Sequence, residues 1–365
     1  MRDGARAQAA IEVLQDSVDL KRPPALSLKE WANKHRFAGS KDRSAIGDIV
    51  FMAMRLRAQS SYAFGQETPR AWVLGALKFG FAMSNDEIIA WSHDNEHSFA
   101  EPNSQEIVAF ECEFENCDPW VIGNYPKWLD DELQKAFGDN RGAELSALSK
   151  PAPLDFRANS LKTNIDNLIK ELSTSPKLQS EVVKTPLSKI GARLAWSNGR
   201  AFPFAVEPSF LRGEFEVQDE ASQLGAQLTG SKEGQRIADV CAGGGGKTLA
   251  LAALTNNKAK LIAYDTDPNR IAPIYERLRR ADAKADVRTD RRGTDTFSDI
   301  NGKCDVVLVD APCTGAGTWR RAPDTKWKLS PQNIEKRQND QQSALRMAAP
   351  LVKDGGLLAY VTCSI

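Results

Sequence analysis

The sequence predicts a multi-domain protein: an all-α N-terminal domain, a small α+β unit and a C-terminal parallel α/β sheet. Three observations predict it. Apolar residues recur at helical spacing through the first third, and short strand-like pieces flank one helical stretch in the middle. From residue 236 onward, apolar strands alternate with helical segments. A chain of 365 residues also exceeds one ordinary core and suits two or three domains of about 100 to 200 residues each.

Composition excludes several classes. Hydrophobic residues at 41% and charged residues at 26% are ordinary for a globular chain, which argues against wholesale disorder. No apolar run reaches the roughly 18 residues that span a bilayer, so no membrane partner is expected. The N-terminal stretch lacks an apolar signal core and carries Asp3, Glu12 and Asp16, which predicts a cytoplasmic protein. Lys and Arg total 48 against 48 Asp and Glu, so a nucleic acid would have to be held by local basic patches. The six cysteines, Cys112, Cys117, Cys241, Cys304, Cys313 and Cys363, form no CxxC pair and no zinc spacing with histidine; reduced thiols and no metal are expected.

The elements follow in order. Ala9, Ile11, Val13 and Leu14 begin one amphipathic stripe, and Ile46, Ile49, Val50, Met52, Ala53 and Leu56 form another, giving a helical domain over 1–137. Lys34, Arg36, Lys41, Arg43, Arg55 and Arg57 make its middle basic, either an RNA-facing surface or the solvated side of two helices. Residues 138–154 mix Gly, Ser, Pro and charge and read as a linker. The small α+β unit takes 155–217 and the α/β domain 218–365, with strands RIADV, KLIAYD, CDVVLVD and GGLLAYVT. Helical candidates TLALAALTNN and PNRIAPIYERLRRA lie between them, and ligands in such sheets bind at the carboxyl ends of strands.

The informative residues cluster at those ends. The turn Cys241-Ala242-Gly243-Gly244-Gly245-Gly246-Lys247 runs from strand into helix, so its N–H groups and the helix terminus suit a nucleotide-like ligand. A Walker P-loop needs glycine where Cys241 stands, which disfavours an NTPase. Asp265 ends the next strand, where a carboxylate can accept both hydroxyls of a ribose. Asp310-Ala-Pro312-Cys313 follows a continuous apolar strand that Pro312 terminates, and Cys363 repeats the arrangement one strand later. Two thiols so placed suit covalent catalysis on a pyrimidine. A thiolate adding to carbon 6 makes carbon 5 of cytosine nucleophilic enough to take a methyl group from a sulfonium. A general acid or base must then help release the product, and spacing alone does not say which cysteine attacks. Between the two strands, Arg320, Arg321, Lys326 and Lys328 interleave with Trp319 and Trp327. That pattern suits a flipped or single-stranded nucleotide, or tryptophans packed under the sheet edge with the cations solvated.

At these residues the chain resembles the Sun/RsmB-like family of RNA 5-methylcytosine methyltransferases, and most closely its bacterial members acting on small-subunit ribosomal RNA. DAPCTGAGTWRRAPDTKW and the TCS segment carry the likeness, supported by FLRGEFEVQDEASQL and CAGGGGKT. The resemblance implies a NusB-like helical domain, an RNA-recognition-like unit and a Rossmann-like catalytic domain. It also implies S-adenosylmethionine as cofactor and RNA as partner; a monomer is expected. It makes Cys363 the nucleophile and Cys313 the group that assists release, with Asp310 and Lys247 at the reacting centre. It places residues 241–247, Asp265, Arg270, Asp290 and Asp310 around the cofactor, and puts Arg157, Asn159, Arg320, Arg321 and Lys326 on the RNA side.

The chain departs from the family's pattern in three places. Gly243 and Gly244 replace the usual Ala-Pro, which is expected to loosen the turn. Arg291 stands where an acid for the adenine is expected, with Asp290 one place earlier. The sequence ends at Ile365, just after Cys363, so a truncated product with an exposed edge strand and low stability is expected. The other reading is a non-catalytic RNA-binding or ribosome-assembly factor that keeps the fold.

Overall fold

The structure, a computed structural model, describes residues 1–178, 180–194, 202–290 and 296–364. The chain divides into two compact units: Met1–Ala152 with Ala316–Leu329, and Pro153–Gly315 with Ser330–Ser364. The described residues include no helix long and apolar enough to cross a membrane.

The first unit is helical. Helix Asp3–Asp19 turns Ala9, Ala10, Val13 and Leu14 inward, and helix Ser40–Arg55 does the same with Ile46, Ile49, Val50 and Ala53; of the two predicted stripes, Ile11, Met52 and Leu56 are only half-buried, and Leu56 lies just past its helix. Each large aliphatic side chain buried here contributes about 1.5–3 kcal/mol. The stretch read as a linker over 138–154 is corrected by the structure, because it carries the helix Arg141–Ser149 with Gly142 and Leu145 buried. Its serine is accommodated because Ser149 Oγ donates back to Leu145 O, 3.2 Å away. The unit boundary therefore falls after residue 152.

The segment Ala316–Leu329 belongs to this helical unit. Trp327 Nε1 donates to Met54 O at 2.7 Å, and the Arg57 guanidinium lies 5.0 Å from the Trp327 ring centre. Lys326 is only 1% exposed and its ammonium donates to Arg55 O and Ser149 Oγ. Arg320 donates to Lys150 O and Pro151 O. The expectation that Lys326 and Arg320 face RNA is thus corrected: main-chain oxygens of the helical unit and the Ser149 hydroxyl accept their hydrogen bonds, and of Arg320, Arg321 and Lys326 only Arg321 is exposed. Trp319 is buried and Trp327 packs on the helical unit, while Lys326 is buried rather than solvated.

Burial, and then the charge of Arg55, pushes the Lys326 ammonium down to about 7 from 10.5. Between those values the folded chain binds fewer protons than the unfolded one. The site therefore favours folding most above pH 10.5, and this contribution falls as pH drops toward 7. Lys326→Met is expected to raise stability at pH 7 by about 1–3 kcal/mol and to flatten the rise in stability from pH 7 to 9. Urea unfolding at both pH values checks this, and a variant less stable at pH 7 contradicts it.

The second unit holds two sheets. Strands β1 (Leu154–Ala158), β2 (Val182–Lys184), β3 (Gly191–Leu194) and β4 (Phe215–Val217) pair antiparallel in the order β2-β3-β1-β4. Helix Ile165–Ser173 covers them with Ile165, Leu168 and Leu172. Strands β5 (Arg236–Val240), β6 (Lys260–Tyr264), β7 (Asp286–Arg288), β8 (Cys304–Asp310) and β9 (Val352–Val361) pair parallel in the order β7-β6-β5-β8-β9. Four of them, β5, β6, β8 and β9, are the strands the sequence predicts, and β7 is one it does not. The stretch expected as one helix after β6 is two, Pro268–Ile271 and Ile274–Ala281, because Pro273 interrupts the hydrogen-bond ladder. Strand order reverses at β5, which opens a crevice at the carboxyl ends of β5 and β8.

Candidate active site

After β5 the chain turns through Cys241–Gly245 into the helix Gly246–Leu254. Cys241, Gly243 and Gly245 take φ of +71°, +49° and +81°, a region that disfavours side chains. Ala242 N donates to Tyr264 O at 2.8 Å, tying the turn to β6. Among the described residues no side chain caps the helix, so its leading N–H groups are left for a ligand or solvent. Burial, followed by the carboxylates of Asp265 and Asp239, pushes the Cys241 thiol up to about 12. It stays protonated at neutral pH and lines the turn as a thiol.

Asp265 is 1% exposed; its oxygens accept from Gly243 N and Asp267 N, each at 3.0 Å, and Arg270 stands 3.7 Å away. Asp290 accepts from the Tyr264 hydroxyl. Position 291 lies outside the described residues. Asp239, which the motifs did not single out, sits wholly buried under the turn and accepts from Thr248 Oγ1, while its Oδ1 has no partner among the described residues. Burial raises its carboxyl to about 7. A charged residue inside the apolar run RIADV was the available signal.

The two cysteines meet. β8 and β9 run parallel, with Ala311 N donating to Val361 O at 2.9 Å, so the chain beyond each strand reaches the same edge. Gln341 donates to Pro312 O from helix Pro331–Ala348, and the Thr314 and Ser364 hydroxyls bond at 2.6 Å. Cys313 Sγ lies 3.2 Å from Cys363 Sγ. The Cys363 S–H, helped by the Gly315 N–H and opposed by burial, holds the Cys313 thiol down to about 6. The same bond, with burial, pushes Cys363 far up. The pair thus shares one proton at neutral pH. Beside it, Lys247 Nζ donates to Asp310 Oδ2 at 2.6 Å, with Lys247 buried and Asp310 partly open.

Arg157 and Asn159 lie elsewhere. Arg157 is 1% exposed and donates from Nε to Gln218 Oε1 at 2.7 Å; Asn159 is 3% exposed and donates to Gly213 O and Ala281 O, both 2.8 Å. The expected RNA-side role of these two is corrected, since burial directs their polar atoms inward. Asn159 instead pins the small sheet to the end of helix Ile274–Ala281.

Known proteins match this chain in the same regions. Residues 226–365 match the family described as 16S rRNA methyltransferase RsmB/F, and residues 125–195 match the ferredoxin-like domain of RsmF/B-like methyltransferases. The probable ribosomal RNA small subunit methyltransferase B of Bacillus subtilis is 31% identical over 66% of this chain and 53% of its own length. The chain thus spans about half the length of the curated relatives it matches. A methyltransferase homolog protein from Pyrococcus horikoshii is 29% identical over 70% of this chain and 78% of its own, with TM-score 0.56. NSun6 from the same organism, at 20% identity over 67% of this chain and 84% of its own and TM-score 0.57, shares the fold. With a ferredoxin-like unit ahead of a parallel sheet, and two adjacent thiols at that sheet's edge, the chain matches the methyltransferase domain of the RsmB/F family over residues 226–365 and that family's ferredoxin-like domain over residues 125–195.

Proposed function

We propose that this chain is an S-adenosylmethionine-dependent cytosine-C5 methyltransferase acting on small-subunit ribosomal RNA through a transient cysteine adduct. The observation that carries the reading is the 3.2 Å approach of Cys313 and Cys363 beside the Lys247–Asp310 pair. We read the helical unit as NusB-like and the protein as a cytoplasmic monomer.

The glycine turn fits the cofactor: four glycines keep its surface free of side chains and, among the described residues, no side chain caps the helix and the buried Asp239 Oδ1 has no partner. The turn amides, Asp265, Arg270 and Asp290 would hold it, and it supplies the electrophilic methyl group when bound. Cys313, as thiolate, takes the Cys363 proton, and Cys363 sulfur adds to carbon 6 of cytosine. Asp310 accepts from the exocyclic amine and orients the ring, while Lys247 donates to the ring nitrogen and so draws electrons away from carbon 6. Carbon 5, carrying the electron pair displaced from the C5–C6 double bond, would take the methyl as the methyl–sulfonium bond breaks, with that bond's pair returning to sulfur and a neutral thioether leaving. A base then removes the carbon 5 proton, that pair restores the double bond, and the C6–S bond breaks to free Cys363.

The test incubates the protein with methyl-labelled S-adenosylmethionine and small-subunit rRNA transcripts, followed by nucleoside analysis. Label in 5-methylcytosine is expected. Binding of RNA without label in any nucleoside would instead identify a non-catalytic assembly factor.

A further inference from the structure

Four consecutive glycines make the turn 243–246 the least constrained backbone at the site, and ordering such a stretch costs more conformational entropy than any other sequence would. The structure supplies a constraint from outside the turn. Arg277, on helix Ile274–Ala281, donates from Nη1 to Gly244 O at 2.6 Å. Its other edge is held by Glu216 of β4, with Nη2 at 2.9 Å and Nε at 3.3 Å from Oε2. Glu216 is only 3% exposed and also accepts from Arg280, whose guanidinium lies over the Phe210 ring at 3.9 Å. Glu216 is therefore fixed, and it fixes Arg277. A Cβ on residue 244 would come within 3.2 Å of Arg277 Nη1, so the glycine and the clamp fit each other.

We propose that Arg277, anchored by Glu216, is a positioning residue that holds the glycine turn in its cofactor-ready conformation. It touches neither the cofactor nor the reacting atoms and acts through the Gly244 carbonyl. The proposal rests on the cofactor reading above for its consequence, though the clamp itself does not. The buried carboxylate of the small α+β unit thereby reaches the cofactor turn through one side chain.

The experiment compares full-chain wild type, Arg277→Met, Arg277→Lys and the exposed same-helix control Arg279→Met in two measurements. Hydrogen exchange without ligand follows the amides of 242–248, and calorimetry follows binding of S-adenosylhomocysteine. Arg277→Met is expected to speed exchange at the turn by fivefold or more and to weaken binding about tenfold, with maximal methylation at saturating cofactor little changed. Arg277→Lys, which keeps one donor, should fall between, and Arg279→Met should match wild type. Unchanged exchange in Arg277→Met overturns the clamp, as does equal binding by Arg277→Met and wild type. If wild type itself binds no S-adenosylhomocysteine, the cofactor reading fails, and the clamp is still decided by exchange. If Arg277→Met loses cooperative unfolding, Glu216→Gln takes its place with the same two readouts and the same criteria.

Discussion

Cys363→Ala is expected to form no covalent adduct with RNA carrying 5-fluorocytosine and to lose methyl transfer by roughly 10^4-fold or more, the scale of removing a covalent nucleophile. Cys313→Ala should still form the adduct, because it removes the neighbour and leaves the attacking sulfur. The two also separate by pH. In wild type the pair gives up its first proton near 6, where the Cys363 S–H stabilises the Cys313 thiolate. The rate of adduct formation should therefore rise as pH passes through about 6. Without Cys313, the largest cause that raises Cys363 is gone, while desolvation and the Asp310 charge remain. Its thiol returns toward the ordinary value of about 8.5, so the rise moves to higher pH. Denaturing gels of trapped RNA across pH 5 to 9 read both effects. An adduct in Cys363→Ala with none in Cys313→Ala would assign the attack to Cys313, and no adduct in wild type would sink covalent catalysis.

What the sequence revealed and what it hid divide along physical lines. β8 was legible because CDVVLVD is a continuous apolar run stopped by Pro312, and a strand buried on both faces looks like that. The glycine turn and both cysteines were legible because strand ends have few solutions in a parallel sheet. Helix Arg141–Ser149 was not, since one buried leucine beside one glycine and two serines carries little periodic signal. Lys326, Arg157 and Asn159 were misread for a common reason: cationic and amide side chains are surface groups by default, and their burial depends on carbonyls and carboxamides distant in sequence. Glu216 and Arg277 stand 61 positions apart and form no motif, so their clamp became visible only once β4 and helix Ile274–Ala281 were placed together.

Gly245→Ala is expected to destabilise the protein by roughly 2–5 kcal/mol and to abolish cofactor binding at micromolar concentrations. Two effects add. Gly245 has φ of +81°, which costs an L-residue about 1–2 kcal/mol. A Cβ there would stand 2.4 Å from Ile274 Cγ1, and Ile274 is fully buried, so the helix must shift or the turn must open, at about 1–3 kcal/mol. Gly302→Ala separates the two, because Gly302 has φ of +66° but no atom within 4 Å of the added methyl. That control should lose only about 1–2 kcal/mol. Ile274→Ala opens space beside residue 245, so the double variant Gly245→Ala, Ile274→Ala should be more stable than the sum of the single losses by about 1–2 kcal/mol. Urea unfolding of the four chains measures this coupling. Strict additivity would mean that the contact between Ile274 and the turn does not set its path, and the requirement for glycine at 245 would then rest on backbone conformation alone.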